Sequence, residues 1–87
     1  MDYIHDRKHL NSGDSVIVQC SHRCNIRVMD DHNYQLFQSG REHYCHGGYY
    51  ERFPARITVP SSGYWNVTLD LGGGRANIRY NIGYMTR

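Results

Sequence analysis

Five segments of the chain alternate apolar and polar residues with a period of two, and this pattern constrains the fold more than anything else in the sequence. "SVIVQC" sets Val16, Val18 and Cys20 against Ile17 and Gln19, and "NIRVMD" sets Ile26 and Val28 against Arg27. "ARITVP" alternates Ala55, Ile57 and Val59 with Arg56 and Thr58. "YWNVTLDL" alternates Trp65, Val67, Leu69 and Leu71 with Asn66, Thr68 and Asp70. "ANIRYNIGY" alternates Ile78, Tyr80, Ile82 and Tyr84 with Asn77, Arg79 and Asn81. A period of two is that of a strand with one buried face, and one-sided strands belong to antiparallel sheets.

The joints carry turn chemistry. "NSGD" (11–14) precedes the second strand, and "SHRC" (21–24) is expected to close a tight hairpin. "PSSG" (60–63) leads into the Trp65 strand, and "LGGG" (71–74) supplies glycine for a hairpin loop. One segment breaks the alternation. "MDDHNYQLFQSG" offers Asp30 and Asp31 as N-caps, brings Leu36 and Phe37 to one side and places Gly40 at the C′ position. This predicts a single short helix, 32–38, covering one open end of the sheet. The expected architecture is a single domain over 1–87, mainly β: a small antiparallel β-sandwich or jelly-roll-like barrel of about six strands with one short helix. Val16, Val18, Ile26, Val28, Leu36, Phe37, Ile57, Val59, Trp65, Val67, Leu69, Ile78 and Ile82 form the expected core.

A chain of 87 residues is near the small end of what folds unaided, so a bound ligand, a metal or a second subunit is an expected aid. No apolar run approaches the roughly 20 residues that cross a bilayer, and "MDYIHDRKHL" has no apolar segment fit for a signal peptide. These features, with three cysteines, point to a cytoplasmic protein of a bacterium or phage. The net charge of +2 is too small to argue for a nucleic acid polymer. Its make-up is more telling: nine of the ten basic residues are Arg, beside eight Tyr and one Trp. Guanidinium forks suit phosphate or carboxylate, and the rings supply stacking faces.

"GREHYCHGGYYER" (40–52) concentrates these groups. Arg41, His43, Tyr44, His46, Tyr49, Tyr50 and Arg52 surround Gly47 and Gly48, where a ligand can approach the backbone. The same stretch also reads as a β-turn at Gly47-Gly48 flanked by surface tyrosines. It becomes a site only if a second basic loop or a second subunit faces it. "DLGGGRA" adds a possible nest of amides with Arg75 beside it, without a Rossmann or P-loop signature. Cys20, His22, Cys24, His43, Cys45 and His46 are atoms suited to zinc, but their spacing matches no zinc pattern, and no metal site is assigned. No nucleophile elbow, "H-E-x-x-H" or paired-carboxylate arrangement is present, so an enzyme is not expected.

The order "G-D-x-V" (Gly13, Asp14, Val16), "VMDDHNYQLFQSG", a Gly-Gly after a basic and aromatic run, "PARITVPSSGYW" and "VTLDLGG" resembles the bacterial family known as domain of unknown function 1883 (DUF1883). The resemblance covers nearly the whole chain and implies a compact, mostly β fold with no established activity. It also implies an association with TIR domains, which act on NAD-type molecules in bacterial defence. This chain departs from the family pattern in its cysteines and in Tyr64 before Trp65, where His is common. Together these readings suggest a non-enzymatic binding module, without a cofactor, for a nucleotide-derived anionic signal of the ADP-ribose or cyclic-nucleotide type. Such a module would serve defence or counter-defence by sensing or sequestering the signal. The alternatives are a protein–protein or self-assembly module, with a TIR-type protein as one partner, and a zinc-stabilised domain. A homo-oligomer with its ligand between subunits would reconcile the first two.

Overall fold

The computed structural model describes residues 3–71 and 77–87. Within them the order is β1 (Ile4–Leu10), β2 (Ser15–Cys20), β3 (Cys24–Asp30), α1 (Asp31–Gln38), β4 (His46–Tyr50), β5 (Ala55–Thr58), β6 (Gly63–Asp70) and β7 (Tyr80–Met85). The strands form a four-stranded sheet, β1-β6-β3-β4, and a three-stranded sheet, β5-β2-β7, with every pairing antiparallel. The chain changes sheet at every connection between strands except β3 to β4, which is the wrapping of a jelly roll. The sandwich expected from the alternation is therefore present.

The inward positions of β3 and β6 meet those of β2 and β5. Cys24, Ile26, Val28, Trp65, Val67 and Leu69 pack with Val16, Val18, Ala55, Ile57, Val59 and Leu10. Each large apolar side chain so buried contributes about 1.5–3 kcal/mol before the entropy of ordering is subtracted. Tyr84 closes the β1–β7 flank: its hydroxyl donates to the Asp6 carboxylate, and Lys8 Nζ lies 5.7 Å from its ring centre. Burial, reinforced by that bond, pushes the Tyr84 hydroxyl's pKa up. The described residues include no helix long and apolar enough to cross a membrane.

Several expectations need correction. "SHRC" does not close a hairpin, because β2 and β3 lie in different sheets. The residues of "LGGG" from 72 onward lie outside the described residues, and the flanking β6 and β7 also belong to different sheets. The helix does not cover an open end. It lies on the outer face of the four-stranded sheet, so β6 is buried on both faces, including Asn66, Thr68 and Asp70. Leu36, Phe37, Ile78 and Ile82 are half-buried, whereas Leu10, Cys24, Met29 and Ala55 join the core.

The helix itself obeys its capping signals. Asp30 is the N-cap, its Oδ1 accepting from the Asn33 N–H at 2.8 Å. At the other end Gly40 has φ +70° and donates its N–H to the Phe37 carbonyl, while Arg41 donates to that of Leu36. That pair of bonds is a Schellman stop. Eight residues are too few to hold a helix alone, and contacts with the sheet supply the rest. Asn66 Nδ2 donates to Asp31 Oδ1 at 2.8 Å, and the Arg27 guanidinium lies 5.5 Å from the Phe37 ring centre.

Candidate functional site

The structure distributes the 40–52 stretch over three settings. Arg41, just past the helix, is exposed. His43 is half-buried, edge-on to Phe37 at 5.3 Å, with Nδ1 donating to the Arg41 carbonyl at 2.9 Å. The Tyr44 N–H donates to Asn33 Oδ1, and its ring is 86% exposed. His43 and Tyr44 line an open cavity of about 390 Å³ with His32, Asn33, Leu36 and Glu42.

The next residues form β4, an edge strand that the sequence reading treated as a turn. His46, opposite Val28 on the inner face of this edge, is exposed, with its ring centre 5.8 Å from that of Trp65. Gly47 has φ +107°, and a Cβ there would sit 2.3 Å from the Ile26 carbonyl oxygen. What approaches this glycine closely is the backbone of β3. Gly48 meets nothing within 4 Å. Tyr49 is exposed and Tyr50 packs against the rim of the core. Arg52 lies beyond β4 in the connection to β5, and Arg75 lies outside the described residues.

Strand register shows which loops share an end. Cys24 opposes Tyr50, Asn25 opposes Asp70, Ile4 opposes Leu69, Val18 opposes Ala55 and Cys20 opposes Tyr80. The β2–β3, β4–β5 and β6–β7 connections therefore meet at one end of the sandwich, carrying Arg23, Arg52 and Arg79. Two backbone-linked bonds fix the first to the third. Ser21 N–H donates to the Arg79 carbonyl at 2.8 Å, and Arg79 N–H donates to Ser21 Oγ at 2.9 Å. Among the described residues none of these three guanidinium groups has an ion pair; Arg7–Asp31 and Arg27–Asp70 are the pairs formed. Among the described residues the acids at this end are Asp70, which takes the Arg27 pair, and Glu51. Exposed Tyr49 and Tyr80 and half-buried Tyr50 add rings to the same end, and Ser21 Oγ lies 2.7 Å from His22 Nδ1. Helix α1 also runs back down the sheet toward it, with Phe37 of its last turn 5.3 Å from Tyr3.

The expected residues Arg52, Tyr49 and Tyr50 thus reach an end that holds a second and a third basic loop. Arg23, Arg79 and Tyr80 were missing from the expected set. Their signal was present, since each of the three connections carries an arginine, but spacing along the chain does not reveal which connections share an end.

A second polar group lies under the helix. Arg7 forks Asp31 through Nε at 3.0 Å and Nη2 at 2.7 Å, and its guanidinium stacks 3.9 Å from the Tyr64 ring centre. The Arg7 and Asn66 bonds hold the Asp31 carboxyl well below its ordinary range, at about 2. His5 Nε2 lies 2.8 Å from Asn66 Oδ1, with its ring stacked on Tyr34 at 4.3 Å. These groups satisfy one another and fasten the helix. Cys20 and Cys24 are neighbours across the β2–β3 turn. Burial, then Cys20, pushes the Cys24 thiol up to about 12. Among the described residues no three His, Cys, Asp or Glu side chains converge on a metal position.

The family model described as Domain of unknown function (DUF1883) matches residues 1–86 of the 87-residue chain. The chain belongs to the DUF1883 family. No curated protein and no solved structure matches it. In this DUF1883 chain the motifs that carry the resemblance build the scaffold. Asp14 of "G-D-x-V" accepts the Asn11 N–H at 2.8 Å and the Arg87 N–H at 3.0 Å, tying the first turn to the last residues and lowering its own pKa. "VMDD" caps and clasps the helix, and in "PSSGYW" the Ser61 carbonyl accepts the Trp65 Nε1–H at 3.0 Å. Arg23, Arg52 and Arg79 lie outside those motifs.

Proposed function

We propose that this DUF1883 domain is a binding module for an anionic, ring-bearing small molecule of the nucleotide class. The observation that carries the reading is the meeting of Arg23, Arg52 and Arg79 at one end without an acidic partner among the described residues. Like charges gathered at one end repel when empty, so an anion gains there what the fold forgoes. Guanidinium forks take phosphate oxygens bidentately, and exposed Tyr80 offers a face on which a base stacks. A phosphate-bearing ligand with a base uses both features, which favours ADP-ribose-type or cyclic-nucleotide signals over a simple anion.

The test is thermal melting with inorganic pyrophosphate, ADP-ribose and cyclic AMP. A nucleotide present at about 100 times its Kd adds about 2.7 kcal/mol, which for a domain of this size raises the melting temperature by roughly 10 °C or more. The shift is expected with a nucleotide, is weaker with pyrophosphate, and disappears in the Arg23→Ala, Arg52→Ala double variant. No shift with any of the three probes, or a full shift in the double variant, overturns the proposal.

A further inference from the structure

The four-stranded sheet ends in two edges of opposite character. β1 carries His5, Asp6, Arg7, Lys8 and His9 in succession, and its inward Asp6 and Lys8 reach across the flank to Tyr84 on the neighbouring edge β7. Charges on and inside an edge are the usual protection against unwanted pairing. β4, "HGGYY", has no such protection: it contains no Lys, Arg, Asp, Glu or Pro, and four of its five residues are exposed. Its neighbour on that flank, β5, has four residues.

We propose that β4 is a self-pairing edge, joining two copies of this chain antiparallel about a two-fold axis through Gly48. The commitment to a second copy rests on self-complementarity. A two-fold axis perpendicular to the sheet keeps the inner faces on one side, so inner residues must oppose inner residues; this leaves dyads on Gly47, Gly48 or Tyr49. With the dyad on Gly48, Tyr49 covers the partner subunit's Gly47, and His46 opposes the partner subunit's Tyr50. Just beyond the strand, Tyr44 opposes the partner subunit's Arg52. An aromatic ring laid across a bare edge glycine is a favourable cross-strand pair. Any dyad sets one residue against its own copy, Gly48 in this register; with the dyad on Gly47, Tyr49 instead meets the partner subunit's Cys45 and Gly47 lies uncovered. With it on Tyr49, His46 faces the partner subunit's Arg52 and no ring covers Gly47. The paired sheet would have eight strands. Because the shared flank is narrow, the interface sits at the low end of specific contacts and the dimer should dissociate in the micromolar range.

Sedimentation equilibrium of the full chain, from about 1 µM to about 500 µM, tests this. The mass is expected to rise from one chain to two. Tyr49→Lys places a charge on the exposed edge and should raise the dissociation constant at least about tenfold while leaving the circular dichroism spectrum unchanged. Register is tested by oxidation. Cys45 opposes the partner subunit's Glu51, so the thiol introduced by Glu51→Cys should bridge to it and give a covalent dimer. The wild-type chain should not bridge, because its two Cys45 residues are six positions apart along the paired strands, about 20 Å. A single-chain mass at every concentration, a dimer unchanged by Tyr49→Lys, or no covalent dimer with Glu51→Cys overturns the proposal.

Discussion

Gly47→Ala separates two explanations of the "HGGYY" glycines, as ligand cradle or as packing requirement. At φ +107° an L residue pays about 1–2 kcal/mol. The added Cβ would lie 2.3 Å from the Ile26 carbonyl oxygen and 3.2 Å from Ile57 Cδ1. The first distance is about 1 Å inside ordinary contact, and the obstacle is backbone, so β4 has to move away from β3. Loosening even one or two ladder bonds costs about 1 kcal/mol each. The total is about 3 kcal/mol, out of a stability of roughly 4–13 kcal/mol expected for a domain of this length. Gly40→Ala is the control. Its φ of +70° costs about 1 kcal/mol, and its Cβ meets nothing within 4 Å. Urea unfolding of both variants should therefore place Gly47→Ala about 2 kcal/mol below Gly40→Ala with unchanged m-value. Equal loss in the two variants would refute the packing argument. If Gly47→Ala also kept wild-type stability but lost nucleotide-dependent stabilisation, the glycine would belong to the ligand.

Two further measurements probe the polar layer beneath the helix. Thr68 is fully buried and its Oγ1 has no hydrogen-bond partner among the described residues, so Thr68→Val, which keeps the shape, should stabilise the fold by about 1 kcal/mol in urea; a loss of that size would reveal a partner for the hydroxyl. The Asp31 carboxyl falls from 3.8 to about 2 on folding, so its stabilisation is complete above about pH 4 and is lost as pH falls toward 2; because the side chain is 46% exposed, solvent screening limits it to about 1 kcal/mol. Wild type should exceed Asp31→Asn by that amount at pH 7, with the gap closing by pH 2, and a gap independent of pH would exclude the carboxylate as its source.

The parts of the fold legible in the sequence were those where a local rule and a tertiary outcome coincide. β2, β3, β5 and most of β6 alternate because one face meets the core, and α1 begins and ends where its caps say. β1 was expected only as a strand before "NSGD", without bounds, because its inward positions include Asp6 and Lys8, which break the alternation and stay exposed beside Tyr84. β4 was missed because glycine gives no alternation to read. Asn66 and Thr68 were taken for a solvent face, since polar residues opposite an apolar stripe carry no mark of a helix packed above them. "SHRC" has the chemistry of any sharp reversal, and that chemistry is the same whether the next strand pairs alongside or crosses to the other sheet. The candidate site failed to show for a related reason: Arg23, Arg52 and Arg79 are brought to one end by pairings between segments dozens of residues apart.

The pairing of Ile4 with Leu69 also has a bearing on biosynthesis. β1 emerges from the ribosome well before β6, the strand it needs. Until β6 is outside the exit tunnel, the early strands have no finished sheet to join. A nascent chain of this kind must wait, and maturation of the sheet is set by the arrival of β6.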